Sequence, residues 1–180
     1  MRRFVIVGFS LALSLAVPVW SLGEGLGLSD FRILIEGQST RSLRPLQQLS
    51  EVLDMLGKPG EIREKTDSHY AGTVFVEWSY EGCKVVFGKG GDNAEAFFVT
   101  RPSYSTPRGI RVGDSEQKVT ISYGKGEEEQ LSTMDHYLRY HVDIPSSDPV
   151  LGVNYFFLSF LIKAHAVAEI GISVVSQGAD

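Results

Sequence analysis

The sequence predicts an α+β protein: a tandem duplication of a unit in which one helix packs on an antiparallel β-meander. Three observations lead there. Leu43, Leu46, Leu49, Val52, Leu53 and Leu56 recur at helical spacing and end at Gly57. Residues 73–80 and 83–87 are β-rich runs joined by Glu81-Gly82, a hairpin signal. Later segments then echo earlier ones in the same order.

The chain opens with Arg2 and Arg3, continues with an uncharged apolar run over 4–20, and reaches small residues at Ser21 and Gly23. Basic, apolar, small is the order of a secretory signal peptide. Residues 1–21 are therefore expected to be a signal cut after Ser21, with a cut after Gly23 as second choice. The run is shorter than the roughly 20 residues a membrane span needs and is interrupted by Pro18. No membrane span is expected once the signal is removed, and the expected location is the periplasm or the medium.

Without its leader the chain keeps 15 of its 17 basic residues and all 22 acidic ones, a formal net charge of −7. Nucleic-acid affinity comes largely from Lys and Arg neutralising phosphates, so no nucleic-acid partner is expected. Electrostatic adsorption to anionic lipid is disfavoured for the same reason. Cys83 is the single cysteine. It can form neither an intramolecular disulfide nor a thiolate zinc cluster, and it is expected to be a small buried side chain.

The first helix is expected to run from Ser42 to Leu56, stopped by Gly57 and Pro59. In the hairpin, Tyr80 should oppose Cys83, Trp78 oppose Val85, and Val76 oppose Phe87. These six share one apolar face, while Glu77, Ser79, Lys84 and Val86 share the other. That alternation describes a sheet covered on one side. Residues 88–92 form a turn and 94–100 a third strand. A second helix opens with Asp114 as N-cap and Gln117 at the capping-box position, and ends at Tyr123-Gly124.

The echoes are specific. Gly57-Lys58 recurs as Gly124-Lys125, 67 residues later. The pattern of residues 82–87 returns at 152–157, and Ala94-Glu95-Ala96 returns as Ala168-Glu169-Ile170. The tight Glu81-Gly82 turn becomes a long Pro/Ser/Asp loop over 143–151. Residues 22–104 and 105–180 are accordingly expected as first and second helix-plus-sheet units of one body.

Thr106-Pro107-Arg108-Gly109-Ile110-Arg111-Val112-Gly113-Asp114-Ser115, with Val119 and Tyr123-Gly124, resembles the repeat unit of exported bacterial proteins with the β-lactamase-inhibitor-protein-like fold. The small outer-membrane-assembly lipoproteins carry a similar unit. The resemblance implies two helix-plus-antiparallel-sheet units and a role in binding proteins across the open sheet face or its loops. The chain departs from both groups, lacking a lipobox cysteine and a disulfide framework.

Catalytic motifs do not assemble. Ser115-Glu116-Gln117-Lys118 fits Ser-x-x-Lys, but its companion Ser-Asp-Asn and Lys-Thr-Gly elements are missing. In a strand over 134–142, His141, Asp143, Tyr137 and Arg139 share a face while His136 points the other way, so no metal site is expected there. No cofactor is expected either. Residues 155–158 and 160–162 are apolar on both faces, which predicts a central strand covered on both sides. The exposed alternative would be an aromatic strip for a partner. The functional expectation is an exported, non-enzymatic module of the cell envelope that binds another envelope or secreted protein. Its contact residues would be Glu77, Lys84, Tyr137, Arg139, His141, Asp143 and Asp148. The alternatives are a small hydrophobic-ligand binder, using the aromatics of 155–160, or an envelope hydrolase working from a cleft between the units.

Overall fold

A computed structural model describes residues 25–38, 40–66, 74–145 and 153–177. The predicted signal peptide and Asp148 lie outside the described residues. A turn of 3-10 helix at Leu28–Asp30 leads into the short strands β1 (Ile33–Ile35) and β2 (Ser42–Leu43) and helix α1 (Leu49–Leu56). Four strands follow: β3 (Glu61–Thr66), β4 (Val74–Tyr80), β5 (Cys83–Gly88) and β6 (Ala94–Val99). After β7 (Tyr104–Ser105) and α2 (Glu116–Tyr123) come β8 (Glu127–Gln130), β9 (Asp135–Pro145), β10 (Val153–Lys163) and β11 (Ala166–Gln177).

The predicted fold class is corrected. Strands take 53% of the described residues and helices 14%, so this is a mostly antiparallel β protein rather than an α+β duplication of helix-plus-meander units. Two physical causes are visible. Each helix is only eight residues long, and the strands that follow the two helices join into one sheet ordered β3-β4-β5-β6-β11-β10-β9-β8. The join is the β6–β11 ladder, Val99 opposite Ile170 and Phe97 opposite Ile172.

The expected start of α1 is also corrected, from Ser42 to Leu49. Leu43 pairs with Ile33 in the small sheet β2-β1-β7. Pro45 biases the residue before it toward extended backbone, and Leu46 sits at φ 65, outside any right-handed helix. The N-cap of α2 is Ser115 rather than Asp114: Lys118 N–H donates to Ser115 Oγ at 3.3 Å. Both helices end as expected, at Gly57 (φ 75) and Gly124 (φ 79). The left-handed region these glycines occupy is costly for residues with a β-carbon.

The β4–β5 hairpin has the expected register, with Tyr80 opposite Cys83, Trp78 opposite Val85 and Val76 opposite Phe87. One face of the large sheet forms the core. Val85, Phe97, Leu158, Phe160, Ile170 and Ile172 are fully buried there. Against them pack Val52 of α1, Val119 and Tyr123 of α2, and Phe31, Ile33, Leu43 and Ile110 of the N-terminal and β7–α2 segments. The helices and the small sheet thus make a second layer over one face and leave the other open.

Candidate functional site

The open face is built by alternation. Along β9, Leu138 and Tyr140 turn inward, which puts Tyr137, Arg139, His141 and Asp143 outward. On β4 and β5 the same period places Glu77, Ser79, Lys84 and Val86 outward. Cross-strand pairing connects the two groups: Lys84 opposes Phe98, Phe98 opposes Gly171, Gly171 opposes Ser159, and Ser159 opposes Arg139. The six candidate residues inside the described region therefore share one face.

They do not converge on one point. Four strand spacings separate β5 from β9, roughly 19 Å at about 4.8 Å each. The ground between carries the half-buried Val86, Phe98, Phe157 and Leu161, with Ser159, Ser173 and Glu169 set among them. A β-carbon on Gly171 would meet Phe98 Cδ1 at 2.9 Å and Ser159 Oγ at 2.5 Å. The glycine is what lets the Phe98 ring lie against the sheet. The strand β10 is accordingly not covered on both sides as predicted. Phe156, Leu158, Phe160 and Ile162 are buried, while Tyr155, Phe157 and Leu161 lie on the open face.

The charged groups rim this strip. At one side Lys65 Nζ lies 2.7 Å from Glu77 Oε2; Glu77 is 9% exposed, so it is a tethered and largely buried group. At the other, Arg139 Nη1 lies 2.5 Å from Glu129 Oε2, with its guanidinium carbon 5.3 Å from the Tyr137 ring centroid. His141 leans on Phe157 with ring centroids 5.9 Å apart and stands 3.8 Å from Glu127 and 4.0 Å from Asp143. Glu169 completes the face: burial pushes its carboxyl above the usual range, and the charges of Lys84 and Lys163 pull it back in part. Sequence reasoning missed Glu169, Phe98 and the β8 glutamates. Strand alternation would have found Glu169 and Phe98 once the β6–β11 partner was known.

One other polar cluster, centred on Glu116, lies away from the open face. His136 does point away from His141, as expected, and its Nε2 lies 3.2 Å from Glu116 Oε1. The second oxygen of Glu116 is 3.4 Å from His165 Nδ1. Among the described residues, no group of three or more His, Cys, Asp and Glu side chains is arranged to hold a metal ion. Cys83 is buried as expected, and burial pushes its thiol up to about 12.

No family model and no curated protein matches the chain. Among solved structures it is similar to an extracellular protein containing an SCP domain from Bacillus anthracis strain Ames, with 10% identity and a TM-score of 0.43. The match covers 76% of this chain and 50% of that one, so the chain spans about half the length of that neighbour. A likeness this distant carries neither a fold nor a function across. No described helix is long and apolar enough to cross a membrane.

Proposed function

We propose that the chain is an exported protein that binds another protein across the open face of its sheet. The observation that carries this reading is the layout of that face. Val86, Phe98, Phe157 and Leu161 make an apolar centre, interrupted by Ser159 and Glu169, between Lys84 on β5 and Arg139, His141 and Asp143 on β9. Protein interfaces have the same plan, an aromatic and apolar centre inside a polar rim. Separation of the charged groups by several strands suits a broad contact better than a reaction centre, which needs its groups within hydrogen-bond reach of one substrate. Support for export comes from the Arg2-Arg3 start, the apolar run and Ser21. The resemblance of residues 106–115 to exported protein-binding repeats agrees with both.

The test is a cross-linking capture with the purified chain as bait against the envelope fraction of its source. One stoichiometric partner should be captured by the parent chain and lost in an Arg139→Ala/Phe157→Asp variant whose melting temperature is unchanged. Undiminished capture by that folded variant would sink the assignment of the face.

A further inference from the structure

On the covered side, where the N-terminal segment meets β10, the described residues outline a cleft of about 410 Å³. Its volume lies within the range of about 300–1,000 Å³ usual for small-molecule sites. Phe31 and Phe156 form an aromatic wall, edge to face with centroids 6.3 Å apart. Leu28 and Leu46 line the cleft and are 52% and 44% exposed.

Leu46 is held there against its own preference. It sits at φ 65, a region in which a residue with a β-carbon is strained. Three backbone hydrogen bonds keep the segment in place: Leu46 N–H to Ala94 O, Leu49 N–H to Asp92 O, and Ala94 N–H to Gln47 O, all at 2.7–2.8 Å. The backbone is fastened to the start of β6 while the leucine side chain is left at the cleft.

Charge gives the cleft a sign. The chain is acidic, net −5, yet the charged residues lining the cleft are two arginines, Arg32 and Arg44. Arg44 lies 3.9 Å from Glu51 with both side chains exposed, a contact worth little. Asp30, whose charge is felt by Arg32, already receives two N–H···O bonds from Arg108. A guanidinium presents a planar pair of donors that matches a carboxylate.

We propose that this cleft binds an amphipathic carboxylate, an acyl chain lying against Leu28, Phe31, Leu46 and Phe156 with its anionic end at Arg32 and Arg44. The site is separate from the open face, so it stands or falls independently of the protein-binding reading.

The experiment is calorimetric titration of the full chain with decanoate, decanol and acetate, each below any micelle-forming concentration. Decanoate should bind saturably and at least about tenfold tighter than decanol, and acetate should give no heat of binding. An Arg32→Ala/Arg44→Ala variant should lose the preference for decanoate over decanol. Leu46→Gly suits the left-handed backbone, and should weaken decanoate without lowering the melting temperature. No saturable binding by the folded chain, equal affinity for decanol, or an unchanged preference in the double arginine variant would each overturn the proposal.

Discussion

Replacing Arg108 by alanine should destabilise the protein strongly at neutral pH and much less in acid. Arg108 precedes α2 and reaches Asp30, 78 residues earlier, donating from Nε to Oδ1 at 2.8 Å and from Nη2 to Oδ2 at 2.9 Å. A third donor, Nη1, meets Ser122 O at 2.9 Å, near the C-terminal end of α2. The guanidinium carbon lies 4.9 Å from the Tyr123 ring centroid. The two side chains are 23% and 10% exposed, so truncating one strands the other in a largely dry place. Breaking such a pair costs about 3–5 kcal/mol, and the ring contact alone about 0.5–2 kcal/mol. These are overlapping losses, so about 4 kcal/mol is expected in total. For a chain of this size that lowers the melting temperature by roughly 8–16 °C.

The pH dependence separates this from a simple packing defect. Burial raises the Asp30 carboxyl, but the Arg108 hydrogen bonds, the Gly27 N–H and the charges of Arg108 and Arg32 outweigh it. The net position is below the ordinary value of 3.8. A carboxylate depressed in the folded state adds stability above its unfolded value and loses it as pH falls through the folded value. Without Arg108 its hydrogen bonds and charge no longer hold the carboxyl down against burial, so the variant loses less stability than the parent as Asp30 takes up a proton. The gap between parent and variant should therefore be widest near pH 7 and narrow toward pH 3.5. Urea unfolding of both proteins at the two pH values measures it. A gap that is independent of pH, or below about 1 kcal/mol at neutral pH, would refute the buried-pair argument.

Three further outcomes are expected. Leu158→Ala, at a fully buried position, should cost about 2–5 kcal/mol, while Leu161→Ala on the open face should cost less than half as much; equal losses in urea unfolding would contradict a sheet covered on one side. The β10–β11 turn holds Ala164 at φ 46 and His165 at φ 64, where glycine is preferred. His165→Gly should raise stability by up to about 1 kcal/mol, because the left-handed strain it relieves, about 1–2 kcal/mol, exceeds the freedom glycine adds to the unfolded chain, about 0.5–1 kcal/mol, and the lost contact to Glu116 involves a histidine side chain that is 84% exposed; a lower melting temperature would show that contact to matter. Cys83 should react with a thiol reagent at neutral pH no faster than the protein unfolds, given its burial and a thiol pushed up to about 12. Rapid labelling of the folded chain would refute its place in the core.

What could be read from the sequence and what could not divides along the range of the interactions involved. The β4–β5 register was legible because a two-residue loop and a period of two leave little freedom: once Tyr80 faces Cys83, the sides taken by Glu77 and Lys84 follow. The same local logic separated His136 from His141. The leucine spacing before α1 misled because Leu43 satisfies two patterns, and the deciding partners, Ile33 for Leu43 and the Ala94 carbonyl for Leu46, are not its neighbours. The β6–β11 ladder, which merges the strands into one sheet and overturns the α+β reading, pairs Val99 with Ile170; no local periodicity encodes that choice. The Asp30–Arg108 pair and the cleft lined by Arg32 and Phe156 depend on equally distant neighbours. An open face is thus visible in sequence as alternation, because each strand carries its own half of the evidence. The cleft has no such signature: its apolar wall joins Phe31 to Phe156 and its charge comes from Arg32 and Arg44, residues that acquire a common purpose only when the N-terminal segment closes over β10.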